Sequence, residues 1–357
     1  MSMHDVGDKP LSRPRSRSDK GAVRLLIDSG GIGGIERHVA VLAGGLRKAN
    51  VDARILMLAG HPDNPWIDQL RAADLPFDVV EHGVGGLLWR LRTEPTALLH
   101  THGYKAGILG RVAARAAGVP VISTFHAGET APFPVSLYQG VDEWTSCIAP
   151  RISVSQPIAG RLPFSSRLVP NFIETPPVAP FGELPNSIGF VGRLSHEKGP
   201  DLFCEAATSR GVSSTWHVFG DGPMRRALEE THGRDVAFHG MVTDIDRVWP
   251  TLGLLVISSR AEGLPMAALE ALAAGIPVIA PRIGALPDVI EHGSNGWLFD
   301  AGDRDELARL IAIWSARRVG DGPSWRRAAW SRASEKFGVA AGVQKILWAY
   351  RAAGFTG

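Results

Sequence analysis

The chain has 357 residues, which at roughly 100–200 residues per domain points to two domains or one large one. Hydrophobic residues make up 45% and charged residues 21%, which supports a large buried core and excludes general disorder. Lys and Arg number 38 against 36 Asp and Glu, a net charge of +2 that gives no reason to expect a nucleic-acid binder.

The first 21 residues read as a flexible basic tail, without the apolar core of a secretory signal. Order is expected from Val23. VRLLID reads as a strand, SGGIGG as a glycine-rich turn, IERHVAVLAGGLRKAN as a helix and ARILMLA as a second strand. This succession announces an α/β domain with a parallel sheet. ALLH (97–100), PVISTF (120–125) and RISVS (151–155) continue the strands, with AGILGRVAARAAG as a helix between them. Four prolines and two acidic residues between Glu174 and Pro185 mark a linker. The alternation then restarts. SIGFVG (187–192), TWHVFG, VAFHG, LGLLVIS, IPVIA and GWLF read as strands. LFCEAATSRG, GPMRRALEETHG and MAALEALAAG read as helices, the last stopped by Gly275 with Pro277 beyond. GVAAGVQKILWAYRAAG closes the chain as a helix. The expected division is tail 1–21, N-terminal domain 22–173, linker 174–186, C-terminal domain 187–336 and terminal helix 337–357.

Cys147 and Cys204 fall in different halves and no CxxC occurs. A disulfide framework and a cysteine zinc site are both disfavoured, and a reducing, cytoplasmic setting is expected. No apolar run reaches the ~18 residues of a membrane span. Residues 1–173 carry 19 basic and 15 acidic side chains, +4, and the remainder carries 19 and 21, −2.

The first glycine turn fails as a dinucleotide fingerprint. Gly31 and Gly33 are followed by Glu36 where the third glycine belongs, and the acid expected at the end of the second strand is missing, since Asp52 lies before ARILMLA. No GxxxxGK[ST] exists, which excludes a P-loop. The turn still lets a ligand approach backbone at a helix start. Asp244 and Asp246 form a DID pair of a kind that can hold a metal, but acidic residues at a helix start are ordinary capping. No metal is expected. His100 and His102 in HTHG suggest ligands. Two apart on a strand, they are expected on opposite faces, which would make shared ligation awkward. His38 is expected to be structural.

The second half carries the sharper signals. FVGRLSHEKGPDL sets Arg193 and Lys198 in a loop after a strand, where α/β folds bind ligands. Two cations there suit a diphosphate. In RAEGLPMAALEALAAG, Glu262 precedes a helix and Glu270 lies within it, with Pro265 expected in the first turn. Backbone amides from Gly263 to Met266 would then face an anion. Carboxylates on either side would accept hydrogen bonds from sugar hydroxyls.

Together SGGIGGIE, HTHG, STFHAG, SVS, VPNFIE, VGRLSHEKG, VFGDGP, HGMV, EGLPMAALEALAAGIPV and GALPDVI…NGWLF resemble the retaining glycosyltransferases of family 4 over about residues 22–355. The resemblance implies the α/β GT-B architecture: two Rossmann-like domains facing across a cleft, with the C-terminal helix crossing back to the first. It implies transfer of a sugar from a nucleotide-diphosphate sugar, with UDP or GDP expected and no cofactor. The acceptor would be a glycan or lipid-linked hydroxyl in polysaccharide, lipopolysaccharide or glycolipid synthesis, and the basic charge of the first half fits a peripheral approach to an anionic membrane. Arg193 and Lys198 correspond to residues that neutralise the diphosphate. Glu262 corresponds to a carboxylate on the donor sugar, and Glu270 to one on the ribose. Gly263 and Leu264 mark the backbone approach, and Met241 the neighbourhood of the base. Gly33 and Gly34 correspond to the loop closing on donor and acceptor, and His126 to a catalytic histidine near the sugar. His102 and His126 are the acceptor-side candidates. Phe172, Gly253, Ser258, Ala285 and Asp288 depart from the family's frequent residues. A nucleotide-sugar 2-epimerase and a non-catalytic partner subunit are the competing readings. GGLLWRLR (85–92) reads as an interfacial element or a core-packed amphipathic helix.

Overall fold

The computed structural model describes residues 21–61, 63–126, 134–208 and 212–356. The expected basic tail, apart from Gly21, lies outside the described residues, as does the part of STFHAG beyond His126. Seven parallel strands form the first sheet: β1 (Ala22–Ile27), β2 (Ala53–Met57), β3 (Phe77–Val79), β4 (Thr96–His102), β5 (Val121–Phe125), β6 (Arg151–Ser153) and β7 (Arg167–Leu168), in the order β3-β2-β1-β4-β5-β6-β7. Helices α1 (Gly34–Lys48), α2 (Trp66–Ala72), α3 (Gly83–Thr93), α4 (Tyr104–Ala117), α5 (Val135–Thr145) and α6 (Gln156–Arg161) connect them.

The second sheet has six parallel strands: β8 (Ser187–Val191), β9 (Thr215–Phe219), β10 (Val236–Gly240), β11 (Leu254–Val256), β12 (Val278–Pro281) and β13 (Gly296–Phe299), in the order β10-β9-β8-β11-β12-β13. Its helices are α7 (Pro200–Ala207), α8 (Arg225–His232), α9 (Met266–Ala273) and α10 (Leu286–Val289), followed by α11 (Arg304–Phe337) and α12 (Val339–Ala352). Both sheets reverse their strand order beside the first strand of each half, β1/β4 and β8/β11. Open α/β sheets bind ligands at such switch points.

Strands covered on both faces read as continuous apolar runs. All six residues of β1 are buried. In α1, His38, Val39, Leu42, Ala43 and Leu46 form the buried stripe, the spacing of a one-sided helix. Only Ala267 of α9 escapes full burial, because α9 lies between its sheet and α11.

The chain passes between the halves twice at one place. Ile173 N–H donates to Phe337 O at 2.8 Å and Val339 N–H to Ile173 O at 3.0 Å. Beyond this crossing α12 returns to the first domain and buries Val343, Ile346, Leu347, Ala349 and Tyr350 in its core. At about 1.5–3 kcal/mol per large buried side chain, that face contributes several kcal/mol. Phe172 is 1% exposed and its ring lies against α12 at Gly342, so this departure from the family pattern fills the crossing. Strands β3 and β7 and the 34-residue α11 have no counterpart among the expected elements. The Asp321-Gly322-Pro323 stretch resembles a turn, yet α11 runs through it with Gly322 buried against Leu184.

Candidate functional site in the interdomain cleft

The two sheets point their carboxyl ends at one cavity of about 850 Å³. Gly33, Gly34, Arg37 and His126 line it from the first domain. Arg193, Lys198, Met241, Glu262, Gly263, Leu264 and Glu270 line it from the second. All the expected donor-side residues therefore meet in one place.

Arg193 and Lys198 lie in the loop after β8, which tightens into a 3-10 turn at His196–Lys198. Gly199 follows at φ +63, and a Cβ there would meet Ser258 O at 2.1 Å. Only glycine permits that approach. The Ser258 hydroxyl donates to Gly199 O at 2.6 Å, so the loop after β8 is stitched to the loop after β11. Lys198 Nζ donates to both carboxylate oxygens of Glu262 at 2.9 Å. Ser259 Oγ donates to Glu262 Oε1 at 2.7 Å. Burial pushes the Glu197 carboxyl up, but the Ser195 hydroxyl, its own backbone N–H and the charges of Arg193 and Lys198 outweigh it and hold it below the usual range.

The start of α9 corrects one expectation. Pro265 is the N-cap, with extended backbone at φ −68 and ψ 131, and the first helical residue is Met266. Proline has no N–H to offer, so the first-turn donors are the amides of Met266 and Ala267, with Gly263 and Leu264 in the loop before them. Gly284 (φ +58) brings the next loop within contact of the Glu262 and Gly263 carbonyls, and Ala285 N–H donates to Gly263 O at 2.8 Å. Across the cleft, Asn171 Nδ2 donates to Leu264 O at 2.8 Å.

Glu270 is almost wholly buried, and burial raises its carboxyl while Arg37 opposes the rise. Arg37 Nε donates to Glu270 Oε1 at 2.9 Å and Arg37 Nη2 to Asp246 Oδ1 at 2.7 Å. Gln69 also donates across the cleft, to Thr243 O. Asp244 pairs with Arg247 at 2.8 Å. The DID aspartates are thus ion-paired to different arginines. Arg37 escaped the sequence reading, although it directly follows the GGIE turn.

The histidine expectation fails, because residues two apart on a strand share a face. The rings of His100 and His102 lie 4.1 Å apart. His102 does not line the cavity: it is 1% exposed. Its Nδ1 lies 3.0 Å from Nε2 of His126, so it reaches the cleft only through that residue. His100 is tied to the Tyr350 hydroxyl at 2.8 Å and to Thr124 at 2.7 Å. Burial pushes His38 down to about 4, and burial with the neighbouring His38 pushes His100 down to about 3. His102 and His126 are also driven well below the ordinary value, by burial first and then by the surrounding imidazoles. GGLLWRLR forms α3, with Leu87 and Leu91 buried and Trp89 63% exposed.

Residues 185–316 match the family model of glycosyl transferases group 1, and residues 33–161 match that of the glycosyl transferase 4-like domain. The chain belongs to the group 1 glycosyltransferases. It is 28% identical over 260 residues to an Escherichia coli UDP-Gal:alpha-D-GlcNAc-diphosphoundecaprenol alpha-1,3-galactosyltransferase, covering 62% of this chain and 67% of that one. It is 27% identical over 323 residues to a Mycobacterium leprae phosphatidyl-myo-inositol mannosyltransferase, covering 79% and 83%. The fold is similar to that of Anabaena HepE in complex with UDP and glucose, with a TM-score of 0.79, 21% identity and coverage of 93% of this chain and 100% of that one. The protein is accordingly an enzyme that transfers sugar from a nucleotide sugar, built as two Rossmann-like domains in the GT-B arrangement.

Proposed function

We propose that the cleft is the donor site of a retaining glycosyltransferase. The observation that carries this reading is the convergence of Arg193, Lys198, Glu262, Glu270 and the α9 start on one cavity. Breaking the sugar–phosphate bond places negative charge on the leaving diphosphate. Arg193, Lys198 and the amides before α9 meet that charge. Glu262 accepts sugar hydroxyls and Glu270 accepts those of the ribose. Met241 lies towards the base. His126 stands at the sugar, with Gly33 and Gly34 closing over donor and acceptor.

In this mechanism the acceptor hydroxyl attacks the anomeric carbon from the face the diphosphate leaves. Its oxygen forms the new bond as the sugar–phosphate bond breaks, and its proton passes to a diphosphate oxygen. No separate protein base is needed. The donor in this proposal is a UDP- or GDP-sugar. The acceptor is a glycan or lipid-linked hydroxyl presented to the N-terminal domain.

A peripheral approach to an anionic membrane fits the basic first half. It also fits the apolar face of α5, where Leu137, Tyr138 and Trp144 are exposed. Among the described residues no helix is long and apolar enough to cross a membrane.

The test is a screen of UDP- and GDP-sugars with lipid-linked acceptors, followed by the anomeric configuration of the product. Product with the donor's configuration supports the proposal, and inversion overturns it. Conversion of UDP-GlcNAc without acceptor would establish the epimerase instead.

A further inference from the structure

Four histidines converge behind the cleft, and the mechanism above uses only His126. His38 comes from α1, His100 and His102 from β4, and His126 from the end of β5. Two of them differ in kind from His100, whose ring nitrogens are both taken. Neither ring nitrogen of His38 has a hydrogen-bond partner among the described residues, and Nε2 of His102 has none. These side chains are 2% and 1% exposed. Buried polar atoms are rarely left unmatched, and each unmade hydrogen bond costs stability.

We propose that His38, His102 and His126 form a site for one divalent transition-metal ion of the zinc type. One nitrogen from each ring already lies within 4.8 Å of the others. A tetrahedral ion bound at about 2.0–2.1 Å sets its nitrogens roughly 3.4 Å apart, so from the 4.8 Å limit the rings need to close by up to about 1.4 Å. The His102–His126 pair, at 3.0 Å, is already near that spacing. The donor set is all imidazole, which suits zinc, nickel and copper over magnesium or calcium. His100 backs the site without joining it, held by Tyr350 and Thr124.

The ion would satisfy one of the two unmatched nitrogens of His38 and tie α1 to the ends of β4 and β5. Helix α1 begins at Gly34 and carries Arg37, so the tie would also fix the cleft's N-terminal wall. The inference shares His126 with the proposed mechanism but needs no assumption about donor or acceptor, and its test reads metal binding, so its failure is distinguishable from failure of that mechanism.

The full chain, stripped with chelator, is titrated with Co²⁺ and then Zn²⁺. Ligand-field absorption follows the binding, and its intensity reports a tetrahedral site. One equivalent of Co²⁺ is expected to bind, be displaced by Zn²⁺ and raise Tm. His38→Gln should weaken binding at least about tenfold, and His239→Gln should leave it unchanged. The second variant matters because His217 and His239 form an exposed pair at 3.1 Å. Absence of Co²⁺ bands overturns the proposal, as does equal binding by His38→Gln or loss of binding in His239→Gln. Should His38→Gln fold poorly, X-ray absorption of the one-equivalent Zn²⁺ complex decides. Three imidazoles support the site, and two or fewer overturn it.

Discussion

Arg37→Ala removes a cation that spans the cleft. In the structure this guanidinium joins buried Glu270 at 2.9 Å and exposed Asp246 at 2.7 Å. A hydrogen bond to a charged, buried group contributes about 1.5–3 kcal/mol. The exposed pair adds at most about 0.5–1 kcal/mol. Loss of about 2 kcal/mol from the closed arrangement is a shift of about thirtyfold towards open forms. The remaining cross-cleft bonds, Asn171 to Leu264 and Gln69 to Thr243, do not replace it, because neither carries a charge. Small-angle scattering without donor should therefore give a larger radius of gyration for Arg37→Ala than for the wild type. Arg37→Lys should fall between, since one ammonium cannot fork to two carboxylates. Superimposable scattering curves for wild type and Arg37→Ala, with both folded, would refute the reasoning.

Asp142→Ala should cost about 3–5 kcal/mol in chemical denaturation, because it strands the buried charge of Arg111, now 2.7 Å away with 0% side-chain exposure; a loss under about 1 kcal/mol would contradict that pairing. In thiol labelling at pH 8, exposed Cys147 should react and Cys204 should not until the chain unfolds. Burial pushes the Cys204 thiol up to about 12, so it carries almost no thiolate at pH 8. Two fast thiols in the folded protein would be inconsistent with its burial. Tyr350→Phe should lose about 1–2 kcal/mol by freeing the buried Nδ1 of His100, bonded at 2.8 Å; unchanged stability would mean that the bond contributes nothing.

Much of this molecule was legible in its residues. Strands such as VRLLID and SIGFVG stood out because a parallel sheet buried on both faces demands continuous apolar runs, each ended by glycine. Arg193, Lys198, Glu262 and Glu270 were legible because loops at strand ends and helix starts collect ligand-binding groups. What escaped depends on distance along the chain. Arg37 and Glu270 are separated by 233 positions, and nothing local in either segment marks them as partners. The meeting of His38 with His102 and His126 likewise requires α1 to be packed on its sheet. The shared face of His100 and His102, by contrast, follows from strand periodicity alone. Helix α11 was hidden by its central glycine and proline, which tertiary packing overrides.

The central claim is that Arg193 and Lys198 hold a nucleoside diphosphate in the cleft. The most direct measurement is calorimetric titration of UDP and GDP, in chelator, into the wild type and into the Arg193→Ala/Lys198→Ala double variant. Each lost charged contact should cost about 1.5–3 kcal/mol, so the wild type should bind one of the two nucleotides and the folded double variant at least about a hundredfold more weakly. Equal affinity in the two proteins would contradict the account.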